Sequence, residues 1–152
     1  MKTLWKLFFL LPIFLLLLPV KVLNVQTDRS CKFLLGKADL EVSYIHSVSR
    51  TEVVDIYTVN GSGIYAREQL WQQFDAGQPD SYDRIENGFF VKELRMHFTA
   101  VDYGFIPLNN ATVKVGGNTV FANVTKLHFE VESLPLAAFV VDKLADKLMH
   151  EC

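Results

Sequence analysis

Among the 152 residues, His46, Glu52, Asp55, Glu68 and Asp75 are the polar side chains whose spacing suggests a shared site. His46 ends a segment in which Leu40, Val42 and Tyr44 alternate with polar residues. Its imidazole therefore falls in an apolar register, where a lone ring would lose about 1 to 3 kcal/mol of hydration and needs a partner. Glu52 opens the next extended run, Asp55 lies further along it, and a turn between the runs brings imidazole and carboxylate within reach. Such a pair can fix a tautomer, ligate a metal or grip a polar ligand. It can equally be a hydrogen bond that closes a sheet end. Glu68 and Asp75 are the next candidates, Asp75 within the loop Phe74-Asp75-Ala76-Gly77-Gln78-Pro79.

Catalysis finds less support in the same residues. Ser47 adjoins His46, but strand neighbours point to opposite faces and do not form a nucleophile–base pair. There is no Gly-x-Ser-x-Gly elbow. Nor is there a His-x-His, Cys-x-x-Cys or His-Glu-x-x-His spacing, so neither a metal nor a cofactor is expected. The expectation is a protein without catalytic residues.

Half the chain is hydrophobic and its 15 basic residues face 17 acidic ones, which suits one globular domain with an appendage. The balance carries neither the signature of disorder nor that of nucleic-acid binding. The charges are unevenly placed: Lys2, Lys6 and Lys21 are the only ones in the first 25 residues, leaving 12 basic and 17 acidic residues for the rest. Leu7 to Val20 is uncharged, and Leu4 to Val25 reaches spanning length if Lys6 and Lys21 snorkel. No small-x-small cleavage triplet follows, so residues 1–25 are expected to form an uncleaved signal anchor, with a removed signal peptide as the alternative. Lys2 and Lys6 place the N-terminus in the cytoplasm and the domain on the extracytoplasmic side of a cell membrane. There a disulfide between Cys31 and Cys152 is possible and would tie the domain's ends together.

After a linker at 26–37, alternation predicts strands over 39–46, 52–59, 64–70, 89–101, 111–115, 118–124 and 126–132. Gly77, Pro79 and Gly88 mark residues 74–88 as a long loop, and Gly116-Gly117 marks a tight hairpin turn. Tyr65, Trp71, Phe74 and Tyr82 gather near the third strand and the long loop, as a capped core or as a contact patch for a partner. Leu136, Val140, Leu144 and Leu148 form an apolar stripe that predicts a C-terminal helix covering the sheet. His97, His128 and His150 fall on polar faces or in the tail and are expected to be solvated. Three Asn-x-Ser/Thr triplets, at Asn60, Asn110 and Asn123, read as chance matches in turn-rich sequence. The expected fold is mainly β, an antiparallel sandwich or barrel-like domain over 38–132 with a helix and tail at 133–152, preceded by one transmembrane helix.

The run Tyr44-Ile45-His46-Ser47-Val48, then Glu52, Asp55, Tyr57, Glu68 and the Phe74–Pro79 loop, resembles the domain-of-unknown-function family numbered eighteen-fifty, small exported or membrane-anchored proteins. That family pairs a His-Ser-Val step with an acidic residue on the following strand, a Glu ending the third, and a Phe-Gly-x-Gly-x-Pro-like loop. Asp75 stands here where the family has glycine. Val113 to Val120 is similar to the family's closing hairpin, and the likeness runs from about residue 38 to 132. It implies a setting rather than a reaction, because members are commonly encoded beside TAXI-type TRAP solute transporters. The expectation is a non-enzymatic, membrane-tethered accessory module whose partner is the transporter's membrane subunit or solute-binding protein. The alternative is a small polar-ligand binder using His46, Glu52 and Glu68, with Ser47, Asp55, Phe74, Asp75, Gly77 and Pro79 as further contacts.

Overall fold

Two-residue alternation builds eleven strands, every pairing antiparallel, in a computed structural model that describes residues 14–149. In chain order they are β1 (Pro19–Gln26), β2 (Ser30–Leu34), β3 (Lys37–Ile45), β4 (Glu52–Asn60), β5 (Gly63–Trp71), β6 (Arg84–Glu86), β7 (Phe89–Phe98), β8 (Ala100–Gly104), β9 (Ala111–Val115), β10 (Asn118–Val124) and β11 (Lys126–Pro135). One helix, α1 (Leu136–Met149), follows. The strands form a four-stranded sheet in the order β2-β1-β11-β8 and a seven-stranded sheet in the order β10-β9-β3-β4-β5-β7-β6. Inward residues of both sheets make one core, among them Leu23 and Phe129 from the smaller sheet and Leu40, Val42, Val59 and Ile64 from the larger. The architecture is that of a β-sandwich with a C-terminal helix.

The strands expected from alternation are present, with three differences. The run expected over 89–101 is two strands, β7 and β8, which belong to different sheets. The long loop contains the short strand β6, joined to β7 through Asn87 (φ 51°) and Gly88 (φ 84°), two left-handed residues that make a tight hairpin turn. Residues 26–37 are no linker, because Ser30–Leu34 pairs with β1 along its length.

The largest correction concerns the leader. Pro19–Gln26 is a strand held between β2 and β11, and its Val22, Leu23 and Val25 are fully buried. An anchor helix therefore does not extend to Val25, and the β domain begins well before residue 38. β-Branched Val20, Val22 and Val25 suit a strand, and Pro19 lacks the N–H that a helix interior would use. Residues 14–17 are helical, the large side chains of Phe14 to Leu18 are exposed, and the preceding part of the expected anchor lies outside the described residues. Among the described residues no helix is long and apolar enough to cross a membrane. Cys31 is fully buried and disulfide-bonded, while Cys152, its expected partner, also lies outside them.

Helix α1 packs on the smaller sheet with an unexpected face. Lys32 of β2 reaches Asp142 (2.8 Å) and the Lys143 ammonium lies 5.4 Å from the centre of the Phe33 ring. Val140, Val141 and Leu144 are exposed instead. The apolar stripe at Val140 and Leu144 thus points away from the sheet it was expected to cover.

Candidate functional site

Four successive alternate residues of β4, Val53, Asp55, Tyr57 and Val59, point inward, so a carboxylate sits in a row that is otherwise apolar or aromatic. Asp55 is only 7% exposed. Opposite it on β5 lies Gln69, brought into the inward register by a bulge at Arg67: Tyr57 pairs with Ala66, but Ile56 pairs with Glu68 and Asp55 with Gln69. Tyr103 reaches across from β8 at the edge of the smaller sheet. Its hydroxyl donates to the Asp55 carboxylate (2.7 Å) and accepts a hydrogen bond from Tyr57, while Gln69 makes a further hydrogen bond to Asp55.

These residues line a cleft of about 500 Å³ together with Tyr44 of β3, Leu94, Met96 and Phe98 of β7, and Gly77, Gln78 and Pro79 of the long loop. Asp55 is the one charged side chain among them. Burial pushes its carboxyl above the usual carboxylate range, against the opposing pull of the Tyr103 and Gln69 hydrogen bonds. Burial also raises the phenols, reinforced by the Asp55 charge: Tyr57 is pushed up to about 12, and Tyr44 and Tyr103 are likewise raised. All three tyrosines are protonated donors at physiological pH. Gln78 holds a buried side-chain oxygen with no hydrogen-bond partner among the described residues.

His46 does not meet Glu52 or Asp55. Its Nε2–H donates to the Ala76 carbonyl (3.1 Å), and Nδ1 accepts from the Ser49 N–H (3.4 Å) and lies 3.4 Å from the Asp75 carboxylate. The bond to Ala76 fastens the Phe74–Pro79 loop to the β3–β4 turn, and that loop forms one wall of the cleft. Asp75 fixes its own loop through the Ala76 N–H (2.8 Å). Ser47 is exposed in the turn. Glu52 is exposed too, and its backbone N–H, not its carboxylate, bonds Gln72 (3.1 Å). Glu68 is turned outward by the bulge and pairs with Arg84 (2.9 Å), which also holds Glu86 and Glu93.

Of the residues singled out from sequence, Asp55, Gly77 and Pro79 therefore line the cleft, His46 and Asp75 hold its wall, and Ser47, Glu52 and Glu68 lie elsewhere. Tyr57, Gln69, Gln78 and Tyr103 were missed. An acidic residue in the inward register of β4 was a readable signal for the first; the others depend on a bulge, a loop and a strand from the second sheet.

A second feature lies at the end of the larger sheet. Trp71, Phe74, Tyr82 and Phe90 form a ring cluster, with Phe74 and Phe90 centroids 4.7 Å apart and Tyr82 and Phe90 4.9 Å apart. Trp71 is buried, whereas Phe74 is 50%, Tyr82 45% and the adjoining Ile85 61% exposed. The expected gathering of Trp71, Phe74 and Tyr82 is present. Tyr65 is not part of it and packs instead on His97, 4.7 Å between ring centres. His97 and His128 are on outer faces but are not simply solvated: His97 bonds the Ser62 carbonyl (3.2 Å) and His128 the Asp102 carboxylate (2.8 Å). Asn110 and Asn123, two of the triplet asparagines, take left-handed backbone conformations, a turn role that accounts for asparagine there.

A family model described as "Domain of unknown function (DUF1850)" matches residues 40–121, more than half of the chain and every residue lining the cleft. No curated protein and no solved structure matches it significantly.

Proposed function

We propose, from the premise that this chain belongs to the DUF1850 family, that it is a non-catalytic interaction module held at the extracytoplasmic face of a membrane. The observation that carries this reading is the exposed aromatic cluster of Phe74 and Tyr82 with Ile85 beside it. Large, contiguous apolar side chains at a sheet end are costly to leave in water and are the usual anchors of a protein interface. The tether is the apolar leader, whose described end at Leu18 meets the start of α1 through the Leu136 N–H (2.9 Å). On that side of the membrane the disulfide at Cys31 is stable. The partner in this reading is a TAXI-type TRAP transporter, through its membrane subunit or its solute-binding protein.

The test places a photo-crosslinking residue at Tyr82 in cells expressing the transporter. A crosslink to either transporter component, lost in Phe74→Asp, is the expected result. Crosslinks to neither, with the protein correctly folded, overturn the reading. His46, Glu52 and Glu68 do not converge on a cleft, so the rival idea of a ligand site built from them has no geometric support.

A further inference from the structure

We infer that the cleft between the two sheets binds a small organic ammonium ion, with the amine held by Asp55 and Gln78 and an apolar body against Leu94, Met96 and Phe98. The acceptors are the first argument. Asp55 brings the cleft its one formal charge, and no basic side chain lines the wall among the described residues. Tyr103 and Gln69 compensate that carboxylate only as neutral donors. Gln78, on the opposite loop wall, keeps a buried oxygen without a donor. An ammonium group brings three N–H donors and a positive charge, the chemical complement of a carboxylate and a partnerless amide oxygen whose residues line one cleft.

The other ligand classes fit less well. An anion would meet the carboxylate and no cation. A metal ion asks for three or more ligating groups, and the described residues contain no such cluster of His, Cys, Asp and Glu. The walls add selectivity for an organic cation: the tyrosine rings that line the cleft attract a cation lying over their faces, and the β7 side chains offer an apolar surface. The volume, about 500 Å³, suits a small molecule and not a peptide. His46 contributes at one remove, because it fastens the loop that carries Gln78.

The experiment titrates the full chain in detergent with 2-phenylethylammonium and, in parallel, with the neutral 2-phenylethanol, following binding by calorimetry and amide chemical shifts. Saturable binding of the amine is expected, at least about tenfold weaker for the alcohol, for the near-isosteric Asp55→Asn and, to a smaller degree, for the loop variant Gln78→Ala. Equal affinity for amine and alcohol, undiminished amine binding by Asp55→Asn, or no saturable binding of the amine overturns the inference. Should Asp55→Asn fail to fold, shift mapping on the unaltered chain decides: perturbations centred on Tyr44, Gln69, Gln78 and Met96 support the site, and perturbations elsewhere refute it. None of these outcomes depends on a transporter partner, so the aromatic docking surface stands or falls separately.

Discussion

Tyr103 has one hydroxyl proton, and that proton goes to Asp55, while its oxygen accepts from Tyr57. Tyr103→Phe removes both interactions and leaves a buried carboxylate short of a donor and a buried phenol short of an acceptor. The expected loss is about 1 to 3 kcal/mol in chemical denaturation, since an orphaned buried polar group forfeits its hydration. A variant as stable as the parent would mean that water replaces the hydroxyl. A second residue-scale outcome concerns His128, whose pKa is raised chiefly by its hydrogen bond to Asp102, with the Asp102 and Glu130 charges adding to it. A raised value in the folded state means that the folded chain binds the proton more tightly. The stabilisation is therefore full below the ordinary histidine pKa, about 6.5, and is lost as pH rises through the higher folded value. The pair is largely exposed, so the effect is small. The stability difference between the parent and His128→Gln should shrink from about pH 5.5 to pH 8.5, and a difference constant across that range would exclude the ion pair. At this scale the sequence was informative about where polar residues sit and less so about what they touch. His46 does need a partner, as its register required, but the partners are the Ala76 carbonyl, 30 residues away, and the Ser49 N–H of the turn.

A single extra residue explains why the site was only partly legible at the scale of elements. Simple alternation from Ile64 and Ala66 would turn Glu68 inward; the bulge at Arg67 reverses the face and turns Gln69 and Trp71 inward instead. No composition signal marks that bulge, and the loop beyond it inherits its position. The Gly116-Gly117 hairpin, by contrast, was legible because both glycines take positive φ (57° and 80°), a conformation dictated by local chemistry. The Asn87-Gly88 turn obeys the same chemistry but was hidden inside an apparent loop, since β6 is only three residues long. β1 was misread for a different reason: a run of apolar residues serves a membrane helix and a fully buried strand equally well by hydropathy alone. Its true role makes a sharp prediction. A chain starting at residue 19 should fold cooperatively, whereas one starting at residue 27 should not, because it lacks the strand between β2 and β11 with the buried Val22, Leu23 and Val25. Circular dichroism melting of the two chains checks this. A cooperative melt of the shorter chain would show that β1 is dispensable, and intact mass of the native protein should likewise show no loss extending past Leu18.

At the scale of the whole molecule, two apolar surfaces lie at one corner. The exposed side chains of Phe14 to Leu18 precede β1, and the exposed Val140, Val141 and Leu144 lie on α1, whose first N–H is bonded to Leu18. A helix that turns the half-exposed Lys143 and Asp142 towards a sheet while leaving valines and a leucine outside has a face suited to lying in a membrane interface. In the proposed membrane-tethered reading, α1 is a further contact with the bilayer, through the exposed Val140, Val141 and Leu144. That reading is measurable in the chain starting at residue 19, which lacks the apolar leader. That chain should partition into phosphatidylcholine vesicles. Val141→Glu with Leu144→Glu should weaken partitioning at least about tenfold, since two half-buried aliphatic side chains together contribute more than the 1.4 kcal/mol that a factor of ten represents. Neutral lipid is the right choice, because anionic headgroups would add an electrostatic term from Lys143 and Lys147. Thermal stability should change little, both positions being solvent-facing in the fold. Equal partitioning of parent and double variant would show that the face of α1 meets something other than the bilayer.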